Sequence, residues 1–180
     1  MNIINVNRSI LILTIVLIIY PGLIYGKTKI EFSGDVIQIL LPAAYFTYSF
    51  LSEGRDVENF YYAFGSTMAI THILKITVPD KRPDGSNDNS YISGHTSAAF
   101  SGATLLYQKF GWKIGIPALA AASYVGWSRI ESKKHYFDDV ARGAIVGTLT
   151  TILFASHLNP FNLSPTIDRD HYGLQVSYKF

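Results

Sequence analysis

The chain has 180 residues, of which 48% are hydrophobic and only 16% charged, below the roughly 25% charged residues of ordinary soluble domains. That length favours one domain with one core, and a mean hydropathy of +0.20 points to a membrane-associated or very apolar helical protein. A net charge of +2 without any lysine and arginine run argues against nucleic acid, and the absence of cysteine removes disulfides, thiolate metal sites and cysteine nucleophiles.

In chain order, residues 1–8 are polar with one positive charge, Arg8, and residues 10–20 are almost wholly aliphatic. A small residue, Gly26, then precedes Lys27-Thr28-Lys29. This is the pattern of a secretory signal, although Ile24 stands where a small residue is preferred. The uncharged stretch 9–26 is 18 residues long, so a retained membrane anchor also fits. On either reading residues 1–26 send the rest of the chain across the membrane, and Arg8 orients the N-terminus inward.

Residues 27–160 read as one all-α domain, a bundle of about five core helices. Ser33-Gly34-Asp35 offers an N-cap for a first helix over 36–52. A second helix is expected over 57–76, followed by a polar loop dense in turn formers at 79–90. The third begins near Gly94 or His95 and is broken at Gly111, the fourth covers 114–125, and the fifth runs over 136–157. Most uncharged internal runs are 13 to 17 residues long, short of the roughly 20 that span a bilayer. Buried core helices and short helices seated in a membrane both remain open. The tail, 161–180, alternates apolar and polar residues from Tyr172 to Phe180 with the period of a strand, and predicts a short C-terminal β-hairpin. One such pair cannot close a barrel.

Three clusters carry chemistry. Lys75 and, after six residues, Arg82-Pro83 offer a compact point charge and a planar fork, which suit a tetrahedral dianion. Ser93-Gly94-His95 opens a helix, where free amides attract anions and a serine hydroxyl can cap or donate. Ser128-Arg129, five residues, His135, three residues and Asp139 complete the set. A carboxylate four residues from a histidine shares its helix face and can fix its tautomer, leaving the other nitrogen free to attack. Asp138 would point about 100° away and is the weaker orienter. Taken singly, each cluster also suits surface charges or helix caps. Together, three cations, two histidines, a serine and a carboxylate in a charge-poor chain supply the positioning and electrostatics of phosphoryl transfer.

The order Lys75-x6-Arg82-Pro83, Ser93-Gly94-His95 and Ser128-Arg129-x5-His135-x3-Asp139 resembles the tripartite signature of the type-2 phosphatidic acid phosphatase and vanadium haloperoxidase superfamily. The resemblance covers residues 75 to 139 and implies an all-helical core. It also implies that Lys75, Arg82, Arg129, Ser93 and the Gly94 amide bind phosphate. His135 would then be the nucleophile that forms a phosphohistidine, Asp139 its orienter, and His95 the acid that protonates the leaving alcohol. The one departure is Ile92, where the family usually has proline; it implies a shift in loop rigidity, without lost chemistry.

The expected activity is metal-independent hydrolysis of phosphate monoesters, without a cofactor. Lipid phosphates such as phosphatidic acid, polyprenyl or lipid A phosphates are the expected substrates, at the periplasmic face of the inner membrane or in the periplasm. A soluble broad-specificity acid phosphatase is the alternative, followed by a vanadate-dependent peroxidase and a non-catalytic phosphate-binding protein. His95, His135, Asp138 and Asp139 could in principle hold zinc, but Arg82 and Arg129 in the same constellation would repel it.

Overall fold

A computed structural model describes residues 28–52 and 56–155, and the backbone of 161–168 and 171–178. Residues 1–26, read above as signal or anchor, lie outside the described residues. Five helices make up the core: α1 (Lys29–Leu51), α2 (Val57–Thr77), α3 (Gly94–Phe110), α4 (Trp112–Glu131) and α5 (Phe137–Phe154).

The first helix begins seven residues before the expected start. Thr28, not Ser33-Gly34-Asp35, is the N-cap, and its hydroxyl accepts from the Glu31 amide at 3.1 Å. The Ser-Gly-Asp triplet therefore lies within α1 and faces the other helices. The fourth helix is also longer than 114–125. It starts directly after Gly111, whose φ of +71° breaks the chain direction, and continues to Glu131, so that Ser128 and Arg129 occupy its last turn.

The central helix is α3, which packs against all four others. Its sequence, GHTSAAFSGATLLYQKF, is rich in small residues, and Thr96 to Leu106 is buried apart from Phe100. Small side chains let backbones approach closely. A Cβ on Gly143 of α5 would lie 2.7 Å from the Ser93 carbonyl oxygen. Four polar residues of this core pair with one another: Thr67 Oγ1 meets Thr150 Oγ1 at 2.5 Å and Ser101 Oγ at 3.3 Å, and Ser101 meets Thr151 at 2.8 Å. Leu41, Tyr45, Ala99, Ala103, Leu105 and Val125 form the apolar centre.

No described helix is long and apolar enough to cross a membrane. Several large apolar side chains nevertheless face outward, among them Leu51, Ile76, Trp112 and Phe137. Beyond α5, the backbone segments β1 (Phe161–Asp168) and β2 (His171–Tyr178) run antiparallel, Phe161 opposite Tyr178. Among the described residues, those of the site come from the helices and from the loops that join them.

Candidate active site

The turn that ends α4 explains the five-residue spacing between Arg129 and His135. The Lys133 amide donates to the Ile130 carbonyl at 2.9 Å, and the Lys134 amide to the Arg129 carbonyl at 3.0 Å. This is a Schellman closure, with Lys133 in the left-handed region at φ 55°. The same Arg129 carbonyl accepts from the His135 amide at 3.2 Å. The chain thus folds back on itself, and the histidine returns to the end of the helix that carries the arginine.

His135 is buried and precedes α5, so it does not share a helix with Asp139; the carboxylate reaches it from the first turn. Nδ1 of His135 lies 3.0 Å from the Ser90 carbonyl oxygen and 3.3 Å from Asp139 Oδ2. Asp139 is buried too. Its Oδ2 accepts from Ser90 Oγ at 2.5 Å and from the Tyr136 amide at 2.9 Å, and its Oδ1 accepts from Arg142 at 3.2 Å. Asp138 is exposed. Since a carbonyl only accepts, the ring proton sits on Nδ1, and Nε2 keeps its lone pair.

Electrostatics hold that ring neutral. Burial first, then the charges of Lys75 and Arg82, push the His135 imidazole down from 6.5 to about 4, against the opposing pull of Asp139. Burial and the neighbouring Arg82 likewise lower the Lys75 ammonium below its ordinary value. Lys75 Nζ donates to the Asn89 carbonyl at 3.3 Å, and Arg82 Nε is buried without a hydrogen-bond partner.

A cavity of about 110 Å³ opens here, with Arg82, His95, Arg129 and His135 on its wall together with Glu31, Asp35 and Lys134. Arg129 is almost fully buried. Its NH1 donates to Asp35 Oδ1 at 2.8 Å, its NH2 to the Glu31 carbonyl at 2.7 Å, and Nε and NH2 each to Ser128 Oγ at 3.1 Å. His95 Nε2 reaches the same Asp35 Oδ1 at 3.1 Å.

The structure therefore brings together the three clusters that are far apart in sequence. Arg82, His95, Arg129 and His135 face the cavity, and Asp139 stands behind His135. Ser93 is fully buried; its hydroxyl accepts from the Thr96 amide and hydroxyl at 3.3 and 2.9 Å, the capping role. Its amide donates to the Asp139 carbonyl at 3.0 Å, which ties α3 to α5. A Cβ on Gly94 would meet only Lys75 Cε at 3.6 Å and Thr71 at 3.8 Å, ordinary contacts, so protein packing alone does not demand glycine there. Ile92 is fully buried in the position where the family usually has proline.

Sequence reasoning missed Asp35, Ser90 and Arg142. Arg142 also donates to the Tyr91 carbonyl at 3.0 Å and lies over the Tyr91 ring, pinning the loop that holds Ser90. Its spacing of three from Asp139 was the only sequence signal. Among the described residues no group of three or more His, Asp or Glu is placed to hold a metal ion.

The family model described as the PAP2 superfamily matches residues 58–162. A lipid A 1-phosphatase of Porphyromonas gingivalis is 44% identical over 71 residues, 38% of this chain and 16% of the relative. A lipid A 4'-phosphatase of Helicobacter pylori is 32% identical over 107 residues, 56% of this chain and 54% of the relative. The chain thus spans from about a sixth to about half of the length of these curated relatives. The crystal structure of Aquifex aeolicus LpxE superposes with a TM-score of 0.60 at 20% identity, covering 78% of this chain and 92% of that one, and shares the fold.

Proposed function

The chain belongs to the PAP2 superfamily, and from that premise we propose that it is a metal-independent phosphoric monoester hydrolase acting on a phosphorylated lipid. The observation that carries the reading is the buried His135, with Nδ1 engaged by Ser90 and Asp139 and its ring on the wall of a cavity shared with Arg82 and Arg129. Nε2 attacks phosphorus, the bond from phosphorus to the alcohol oxygen breaks, and His95 gives its proton to the departing oxygen. A phosphohistidine results. Water, deprotonated by His95, then attacks it, phosphate leaves, and His135 returns to its neutral form. Arg82, Arg129 and Lys75 balance the charge on the phosphoryl oxygens, a task that needs fixed cations more than covalent chemistry. The α3 N-terminus at Ser93 and Gly94 adds its dipole.

A lipid substrate is supported by the names of the relatives and by an apolar groove of about 480 Å³ between α1 and α2, lined by Ile39, Pro42, Phe46, Phe60, Phe64 and Met68. Ala98 of α3, one turn past His95, also borders it. Lipid A phosphates, phosphatidic acid and polyprenyl phosphates are the candidates. Outward apolar side chains such as Leu51 and Phe137 support association with a membrane surface. The extracytoplasmic location, the role of residues 1–26 and the three-part division of the chain are proposals on sequence grounds. An isolated two-stranded hairpin is marginal in water, so a stable C-terminal hairpin is proposed on the alternation of the tail alone.

The test is phosphate release by purified protein from a panel of lipid and soluble phosphate esters, with EDTA present throughout. Release from lipid phosphates that survives EDTA is expected. Release from soluble esters alone would favour the acid phosphatase reading, and loss of all activity in EDTA would overturn the mechanism.

A further inference from the structure

Asp35 lies on α1, outside residues 58–162 and outside all three motifs, yet its Oδ1 gathers two donors of the cavity: His95 Nε2 at 3.1 Å and Arg129 NH1 at 2.8 Å. We propose that Asp35 is a positioning residue, whose carboxylate orients His95 for proton delivery to the leaving oxygen and links that ring to the phosphate-binding Arg129. The inference rests on the phosphatase reading above.

The placement is built into the packing. Gly34, beside Asp35, lies so close to α4 that any Cβ there would collide with Ser128 and Arg129. The Glu31 carbonyl, one turn earlier, accepts from Arg129 at 2.7 Å. Helix α1 is thereby docked on the last turn of α4 at the level of the cavity. The charged and titratable groups that line the cavity with Asp35 come from separate elements: Arg82 from the loop after α2, His95 from α3, Arg129 from α4, and Lys134 and His135 from the turn after it. Among the described residues that line the cavity, Glu31 on its own helix shares its sign.

With Nε2–H donated to Asp35, Nδ1 is the ring nitrogen left to give a proton to the leaving oxygen and later to take one from water. His95 stands about two-fifths exposed, with a side-chain accessibility of 39%, so packing alone does not set its ring. Asp35 supplies the missing constraint, and the two donors are already gathered before an ester enters. Pre-set donors lower the reorganisation needed in the transition state.

The experiment compares wild type, Asp35→Asn, His95→Ala and the double variant on an alkyl phosphate and on p-nitrophenyl phosphate. Protonation matters for the alkyl leaving group and little for nitrophenolate. Asp35→Asn should lower kcat about tenfold or more on the alkyl ester and less than about threefold on the nitrophenyl ester, with KM nearly unchanged. The double variant should be no slower than His95→Ala, because the two residues act as one unit. Asp35→Ser serves as the second variant if the asparagine form does not fold, and inhibition by orthovanadate reports an intact cradle. Equal losses on both esters, or losses that add in the double variant, would overturn the role of Asp35 alone. A wild type inert toward both esters and toward every lipid phosphate of the panel above would overturn the phosphatase reading and this inference with it.

Discussion

Nδ1 of His135 stands 3.0 Å from the carbonyl oxygen of Ser90, a group that can only accept, so the tautomer of the ring is set by backbone as well as by carboxylate. Asp139 reinforces that choice at 3.3 Å and also holds Ser90 through its hydroxyl at 2.5 Å. The result is a closed triangle around one nitrogen that leaves the other for chemistry.

Asp139→Asn should reduce kcat by about two to four orders of magnitude, since an amide can turn its NH2 toward Nδ1 and favour the wrong tautomer. The Ser90 carbonyl keeps part of the orientation, so the loss should be smaller than that of His135→Ala. Steady-state kinetics check the rate, and circular dichroism checks that the variant is folded.

The pH profile follows from the cause of the His135 shift. Burial, Lys75 and Arg82 lower its pKa to about 4, so the ring is neutral and nucleophilic well below the ordinary 6.5. The acid limb of kcat/KM that belongs to the free enzyme should fall near pH 4, after allowance for ionisation of the substrate. Stability has the matching sign. Between the two values the unfolded chain binds a proton that the folded chain does not, so this contribution is full above pH 6.5 and is lost as pH falls toward 4. Denaturant titrations across that window read it.

Gly143→Ala should cost about 1–3 kcal/mol and impair turnover. The added Cβ would lie 2.7 Å from the Ser93 carbonyl and 3.1 Å from Thr96 Cβ, pushing α5 from the start of α3, where His95 sits. Urea midpoints and kcat measured together test both parts.

Lys133 offers the opposite sign. It is exposed and holds a φ of 55° in the closing turn of α4, a conformation that costs a side-chain-bearing residue roughly 1–2 kcal/mol. Lys133→Gly should therefore raise stability by about 0.5–1 kcal/mol, net of the added chain entropy, and leave kcat unchanged. Thermal unfolding reads the first, and initial rates the second.

The helical core and the motif residues were legible because each signal is local. Gly111 breaks the chain where its positive φ requires, and the Arg129 to His135 interval matches a single helix-closing turn. Asp35 was not legible. Ser33-Gly34-Asp35 carries the residue types of a helix start, and nothing local reveals that Thr28 already fills that role. Its importance comes from partners 60 and 94 positions away in sequence, His95 and Arg129. Ser90 was hidden for the same reason, since half its part is played by a carbonyl that no side-chain pattern reports. Helix α4 runs past the expected end at 125 through Gly126, a residue that disfavours a helix, because packing overrides propensity there: Gly126 lies so close to Val140 of α5 that a Cβ would be 2.7 Å from its Cγ1.

The central claim is that His135 takes the phosphoryl group. Wild type and His95→Ala, mixed with a 32P-labelled nitrophenyl phosphate in EDTA and quenched under alkaline conditions, should carry acid-labile, base-stable label. Peptide mapping should locate it on His135, and His95→Ala should accumulate more of it, since water is no longer deprotonated for the second step. His135→Ala should carry none while still binding orthovanadate through Lys75, Arg82 and Arg129. Label on His95, or undiminished label in His135→Ala, would contradict the account.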